Sequence, residues 1–417
     1  MVELKPFRKL RYKIAKVGGD ISKVLTLPYD IITPQKQEEY YKASPYSFVR
    51  MILPKDEQGD GVNSKYERVK ETLDEWVKDG ILVEDDEDAF YIYEEHYRSD
   101  GKVVKQAGIV SLVKIVPFEG GKIFPHENVL KGPLEGRMRL LKATRSSLEM
   151  IIGLFPDKDR TAAKTLKKYM SGEPQLDFIH DDTIRHRVWK IRDKGDIAAL
   201  QKMMRGNNII IADGHHRYTT ALKYYQESKD ERMGYILMLL WPMDDKLNVL
   251  PTHRLLRGIP DKSKMIERLR EAFDVDEVGG VDELVVKMAD RPHSFGLYDG
   301  KFRLLALKDE KAVEGVYDKS KSKTWNMLDV SILQSLIFEK ILKVDYKAAQ
   351  EKGDLTFIKD AKKAVEKVGS GEFEAAFLLN PTRIEEVYAI AKGGERMPQK
   401  STYFYPKPLS GILMCRL

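Results

Sequence analysis

Residues 196–241 constrain the fold more tightly than any other stretch of this chain. Asn208-Ile209-Ile210-Ile211-Ala212 is a short apolar run and reads as a buried strand. Asp213-Gly214-His215-His216-Arg217 then reads as a polar turn, and Tyr218 to Gln226 as a helix. A helix from Asp196 to Arg205 precedes the strand, and a second buried strand, Gly234 to Trp241, follows. Strand, polar turn, helix and strand in succession predict an α/β unit. They also predict a cluster of chemically active side chains at the joint between strand and helix.

The rest of the chain fits around that unit. Thr33-Pro34 has the order of a helix N-cap and first helical residue, after the loop that ends Tyr29-Asp30-Ile31-Ile32. Tyr66, Val69, Leu73, Trp76 and Val77 recur at helical spacing, so Ser64 to Asp79 is a predicted helix. Residues 89–116 read as a hairpin around Asp100-Gly101. Residues 133–145 and Ala162 to Met170 read as helices, and 150–155 as a buried strand. After Pro251 the pattern becomes α+β. A helix is expected at Lys264 to Phe273 and a hairpin at Phe295 to Leu307. An amphipathic helix is expected at Leu328 to Ile341, a strand at Phe373 to Asn380, and an apolar strand at Gly411 to Cys415. Two domains are expected, 1–250 and 251–417, with a soft boundary near 250.

Composition limits the function classes. The 71 Lys and Arg against 65 Asp and Glu leave a net charge of +6, and no block of five or six like charges forms a basic tail. So mild an excess suits an anionic small ligand as well as it suits nucleic acid; with no helix-turn-helix region in the chain, small-molecule substrates and no nucleic acid are the expected partners. The longest purely apolar run, Tyr235 to Trp241, is far short of the ~20 residues of a membrane span. Met1 to Arg11 is charged and lacks the apolar core of a secretory signal. The single Cys415 rules out a disulfide framework and any cysteine-based zinc or iron–sulfur site. A cytoplasmic protein is expected. Its 7 Asn and 10 Gln amid abundant Lys and Glu match the composition of thermophilic proteins.

Asp213 to Arg217 carries one carboxylate, two imidazoles and one guanidinium. A helix start presents free N–H groups to an anion. Gly214 allows close backbone approach, and Arg217 suits phosphate oxygens. Asp213, His215 and His216 are candidates to move protons or orient a hydroxyl. Pro28-Tyr29-Asp30 adds a loop carboxylate, a candidate general base or Mg²⁺ ligand.

Asp-Gly-His-His-Arg after an apolar strand resembles the signature of the ParB/sulfiredoxin superfamily, whose turn and helix start bind nucleotide phosphates. Sulfiredoxins carry their catalytic cysteine where this chain has His215, so that reaction is excluded. ParB proteins continue into a helix-turn-helix region not found here. The free serine kinases of the superfamily carry Asp-Gly-His-His-Arg.

A second resemblance covers nearly the whole chain. Pro28-Tyr29-Asp30, Pro125-His126-Glu127, Asp213 to Arg217, Pro251-Thr252-His253-Arg254 and Met397-Pro398-Gln399-Lys400-Ser401-Thr402 occur in this order. Together they resemble a large bacterial family of unknown function that includes pyrophosphate-dependent L-serine kinases. The resemblance implies a ParB/sulfiredoxin-like core with large insertions and an α+β C-terminal domain. It also implies L-serine and pyrophosphate as substrates and Mg²⁺ as cofactor.

The remaining motifs supply further candidates. Lys131, Arg137, Arg254, Lys400, Ser401 and Thr402 are candidate phosphate contacts, beside Gly214 and Arg217. Tyr29, His126, Glu127 and His253 are candidate substrate contacts, although a histidine placed like His253 is more often a satisfied structural one. Asp213 and Glu127 are candidate metal ligands. Residues of both halves are expected to meet in a cleft. No Walker phosphate loop, protein-kinase signature or dinucleotide fingerprint is present in the sequence. The expected activity is transfer of a phosphoryl group from pyrophosphate to the hydroxyl of free L-serine. The alternatives are an ATP- or ADP-dependent small-metabolite kinase, a phosphoserine phosphatase, and a ParB-like nucleotide-binding switch on DNA. The sequence leaves the oligomeric state open.

Overall fold

The computed structural model describes residues 1–99, 101–128, 131–180, 183–243, 247–289 and 291–417, without the side chains of 131–133. Asp100 of the expected hairpin turn and the side chain of Lys131 lie outside the described residues. The fold is a mixed α/β one. The chain divides into two units: residues 1–125, 129–247 and 406–417 form the first, and residues 126–128 and 248–405 the second.

The first unit is built on a nine-stranded sheet. Its order is Ile123–Pro125, Ile209–Asp213, Ile151–Phe155, Tyr235–Pro242, Lys102–Lys114, Phe90–Ser99, Arg185–Ile191 and Leu176–Ile179, with Leu4–Lys5 also paired to Lys102–Lys114. Ile209–Asp213 runs parallel to Ile123–Pro125 but antiparallel to Ile151–Phe155. Tyr235–Pro242 runs parallel to Ile151–Phe155. The strands on either side of the Asp-Gly-His-His-Arg segment are thus separated by Ile151–Phe155.

Three helices bury apolar side chains on this sheet. Ala162 and Leu166 come from Thr161–Met170, Leu200 and Met204 from Lys194–Arg205, and Tyr218 and Ala221 from His215–Ser228. They close over Ile151, Phe155, Ile209 and Ile211. Each fully buried leucine or methionine side chain here, such as Leu200 and Met204, contributes roughly 1.5–3 kcal/mol. The expected helices at Pro34–Ala43 and Ser64–Lys78 are present, and Thr33 caps the first by accepting from the Lys36 N–H.

Two expectations change. Residues 406–417 belong to the first unit, not to a C-terminal domain. Backbone hydrogen bonds hold them there: Ser410 N–H donates to Thr26, Leu10 N–H to Met414, and Cys415–Arg416 pairs with Ser146–Ser147. The apolar strand expected at Gly411 to Cys415 shrinks to Cys415–Arg416. Gly411 interrupts it with a positive φ of 89°, where a Cβ would stand 2.8 Å from the Phe48 ring.

The second unit carries a six-stranded antiparallel sheet, ordered Phe273–Glu277, Phe302–Leu307, Ser294–Tyr298, Ala375–Leu378, His253–Leu256 and Leu355–Ile358. Leu284, Met288, Ala364 and Phe373 pack on Leu255, Leu304 and Leu378 to form its core. The expected helix at Leu328 to Ile341 is α-helical over Asp329–Ile332 and widens into π turns over Leu333–Ile341. Among the described residues, no helix is long and apolar enough to cross a membrane.

Candidate active site

In the first unit, the strand Ile209–Asp213 slips register against Ile151–Phe155 between Ile211 and Asp213. Gly214 turns the chain with φ 92° and ψ 26°, and the helix His215–Ser228 begins at once. His215, His216 and Arg217 therefore form the first helical turn rather than a separate polar turn. One left-handed glycine does the work of several loop residues. A Cβ at Gly214 would stand 3.0 Å from both Arg217 Nη2 and Ile151 Cγ1.

Asp213 and Arg217 are then one helical turn apart. Arg217 Nη2 donates to Asp213 Oδ2 at 2.8 Å, and Nη1 donates to the Met150 carbonyl at 2.7 Å. The other carboxylate oxygen of Asp213 is taken by a residue that sequence reading missed. Lys407 Nζ lies 2.7 Å from Asp213 Oδ1 and also donates to Asp30 Oδ2. Its side chain is only 7% exposed, against 35% for Asp30.

A second missed residue, Glu149, ties the same groups together. Its Oε1 accepts from the Tyr29 N–H at 3.3 Å and from Ser410 Oγ at 2.9 Å. Its Oε2 lies 3.7 Å from Arg137 Nη1. Arg137 is not part of a solvated helix face: Nη2 donates to the Ile52 carbonyl, and the guanidinium stacks 4.0 Å from the Tyr29 ring centre. Tyr29, Asp30, Arg137, Asp213, Gly214, His215, His216 and Arg217 are thus all residues of the first unit, with Lys407 and Glu149 joining them.

The charges reinforce each other. Burial raises the affinity of Asp213 for a proton, but Lys407 and Arg217 outweigh burial, so its carboxyl stays below the usual range. Burial pulls Lys407 the other way, and Asp213 and Asp30 outweigh it, so its ammonium stays charged above the usual lysine range. Burial also pushes up the Tyr29 phenol.

The second unit gathers the other candidates by themselves. Glu127 Oε1 accepts from the N–H groups of Ser401 at 3.0 Å and Thr402 at 3.3 Å. His126 Nε2 meets Thr402 Oγ1 at 2.8 Å, and the His126 carbonyl accepts from the Met397 N–H. Ser401 Oγ donates to the Pro398 carbonyl. Lys400 is exposed and holds a positive φ of 58°. Arg254 is 2% exposed, donates to the carbonyls of Thr252 and Lys400, and faces the Phe357 ring. It braces the 397–402 loop from within. His253 Nδ1 accepts from the Leu379 N–H at 3.2 Å, the satisfied structural arrangement.

Magnesium suits the first cluster chemically. The available donors there are hard carboxylate oxygens, with one oxygen of Asp30 outside the Lys407 contact. Among the described residues, no group of three or more His, Cys, Asp and Glu gathers as an all-protein cage. A magnesium ion here would take most of its ligands from phosphate and water, as Mg²⁺ commonly does.

The fold is similar, at a TM-score of 0.36 and 16% identity, to a free serine kinase in complex with AMP, over 70% of this chain and 86% of that one. It is similar to a conserved hypothetical protein from Pyrococcus furiosus, with a TM-score of 0.35, 16% identity, and 72% and 92% coverage. It is also similar to SbnI with C-terminal truncation from Staphylococcus aureus, with a TM-score of 0.35, 11% identity, and 72% and 85% coverage. No curated protein matches in sequence. The sequence does match one family over residues 4–331, most of its length, and the chain belongs to that family, the proteins of unknown function DUF1015.

Proposed function

We propose that this protein is a phosphotransferase that moves a phosphoryl group from pyrophosphate to the hydroxyl of free L-serine. The observation that carries this reading is the Asp30–Lys407–Asp213 bridge, centred on the buried Lys407 ammonium, beside the start of the helix His215–Ser228. Phosphoryl transfer asks mainly for positioning and charge neutralisation. Lys407, Arg217 and the positive dipole end of the helix His215–Ser228 supply positive charge in one place. The choice of L-serine and pyrophosphate rests on the resemblance carried by the five sequence motifs.

Asp30 is the better base of the two aspartates. Asp213 has both oxygens engaged by cations and sits below the usual carboxylate range. Asp30 is more exposed and shares only one oxygen with Lys407. In this reading the serine Oγ attacks the terminal phosphorus and its proton passes to Asp30. The bond from that phosphorus to the bridging oxygen breaks, and phosphate leaves. Lys407 and Arg217 hold the charge of the donor, and Asp213 keeps both cations in place. Bound with the donor, magnesium would supply further charge neutralisation.

The test is phosphorus NMR of the purified protein with L-serine, Mg²⁺ and, in separate samples, pyrophosphate, ADP, ATP or no donor. Phosphoserine formed with pyrophosphate alone is the expected result. Phosphoserine formed only with a nucleotide would move the donor. None with any donor would sink the reading.

A further inference from the structure

The stretch 146–150, just before the strand Ile151–Phe155, reaches each segment that meets in the Asp30–Lys407–Asp213 bridge. The Met150 carbonyl accepts from Arg217 Nη1 at 2.7 Å, and Arg217 Nη2 holds Asp213. Ser147 pairs with Cys415 in the C-terminal tail that carries Lys407. Between them, a single oxygen of Glu149 serves the other two segments at once. Its Oε1 accepts from the N–H of Tyr29, the residue before Asp30, at 3.3 Å. The same oxygen accepts from the hydroxyl of Ser410, in the tail just beyond Lys407, at 2.9 Å.

Both partners are held from more than one side. The Tyr29 ring lies 4.0 Å from the Arg137 guanidinium, which is itself fixed by the Ile52 carbonyl and by Glu149 Oε2 at 3.7 Å. Ser410 exchanges backbone hydrogen bonds with Thr26 and reaches Glu149 through its side chain. The Glu149 side chain is only 6% exposed. Burying a carboxylate is unfavourable unless its oxygens are bonded, and bonds to a charged acceptor are roughly twice as strong as neutral ones. A carboxylate here therefore fixes the two segments more firmly than a neutral acceptor. The Asp30–Lys407 contact spans those two segments, so its geometry follows from how they are held.

We propose that Glu149 is a positioning residue: by bonding Tyr29 and Ser410 with one oxygen, it holds Asp30 and Lys407 in register. It acts through the chain on either side of the pair and needs no contact with substrate. Its effect on turnover rests on the phosphotransferase reading; the clamp itself rests on the contacts alone. A displacement of ~1 Å caused by a change away from the chemistry can cost about 10²-fold in rate, so a loosened clamp reaches turnover before binding.

Three variants of the full chain test this. Glu149→Leu removes the acceptor. Glu149→Gln keeps one oxygen for both donors. Ser410→Ala removes one donor and leaves the backbone bonds to Thr26. Phosphoserine formation is measured well below the melting temperature, and hydrogen–deuterium exchange by mass spectrometry is measured without substrates. In Glu149→Leu, kcat is expected to fall about ten-fold or more while KM for L-serine moves less than about three-fold. Glu149→Gln should return kcat to within about three-fold of the unaltered protein. Ser410→Ala should lower kcat by itself, yet add less than about two-fold in Glu149→Leu, where its partner is already gone. Exchange in residues 26–32 and 406–412 should rise together in Glu149→Leu and recover in Glu149→Gln. A folded Glu149→Leu with unchanged kcat would overturn the proposal. So would a loss carried by KM alone, a loss that Glu149→Gln does not rescue, or exchange that rises in neither segment. If Glu149→Leu does not fold, Ser410→Ala decides, and unchanged kcat and unchanged exchange in 26–32 would overturn the proposal. Linked exchange with no phosphoserine from the unaltered protein would leave the clamp standing and remove the kinase reading. Phosphoserine formed at an unchanged rate by Glu149→Leu would do the reverse.

Discussion

Lys407 Nζ stands 2.7 Å from Asp213 Oδ1 and bridges to Asp30, so one buried ammonium holds two carboxylates in the same unit. Removing it leaves two acidic groups facing each other with no cation between them. Breaking a buried pair from one side commonly costs about 3–5 kcal/mol. Lys407→Met is therefore expected to lower unfolding free energy by that order and to abolish phosphoserine formation. Urea denaturation and the NMR assay measure the two effects. Lys407→Arg should recover most of the stability and less of the activity, because a planar fork cannot occupy the same point between two carboxylates.

The same bridge sets a pH dependence. Asp213 has a folded pKa below its unfolded value, so its contribution is complete above the unfolded value of ~3.9 and is lost as pH falls through the lower folded value. Lys407 has a folded pKa above its unfolded value, so its contribution is complete below ~10.4 and is lost only as pH rises through the higher folded value. The bridge should hold across the whole range between. Urea midpoints are expected to fall steeply below pH ~4 in the unaltered protein and less steeply in Asp213→Asn. Equal acid slopes in the two proteins would remove Asp213 from this role.

Gly214 offers a backbone test of the site. Its φ of 92° is outside the range comfortable for an L side chain, and the Cβ of an alanine would crowd Arg217 and Ile151 at 3.0 Å. Gly214→Ala should cost about 1–3 kcal/mol of stability. It should also displace Arg217 from Asp213, so the loss of activity should exceed what the fraction unfolded explains. Activity measured well below the melting temperature separates the two.

The helix His215–Ser228 and its flanking strands were legible because apolar runs and a polar Asp-Gly junction mark them locally. The start of that helix was not, since a single residue of left-handed backbone leaves no pattern in the chain. Lys407 was missed for a different reason. It is a lone lysine between Pro406 and Pro408, and what gives it meaning is the backbone pairing of Ser410 with Thr26. A charge set in an otherwise apolar, proline-rich tail was the available signal. Glu149, between Leu148 and Met150 at the entrance to a buried strand, carried the same signal. The strands Leu176–Ile179 and Arg185–Ile191 escaped because His186, Arg187 and Lys190 break their apolar pattern. Arg187 meets Glu94 and His186 Nδ1 meets the Tyr93 hydroxyl across the strands, and only the folded sheet shows that.

His253 provides a test in the second unit. It is 3% exposed, and its Nδ1 accepts from the Leu379 N–H, which requires the neutral ring. Burial, reinforced by Arg254, lowers its pKa to about 4. The unfolded chain binds a proton near pH 6.5, so stability contributed by the neutral ring is complete above that value and is lost as pH falls toward 4. The fall across that window should amount to ~3 kcal/mol. His253→Phe should show no such slope, and at pH 8 it should be less stable by about 1–3 kcal/mol because the Leu379 N–H loses its acceptor. If His253 titrates as an ordinary exposed imidazole by proton NMR, its buried acceptor role is wrong. A kcat unchanged in His253→Phe at pH 8 would place it in the structure of the second unit and outside the chemistry.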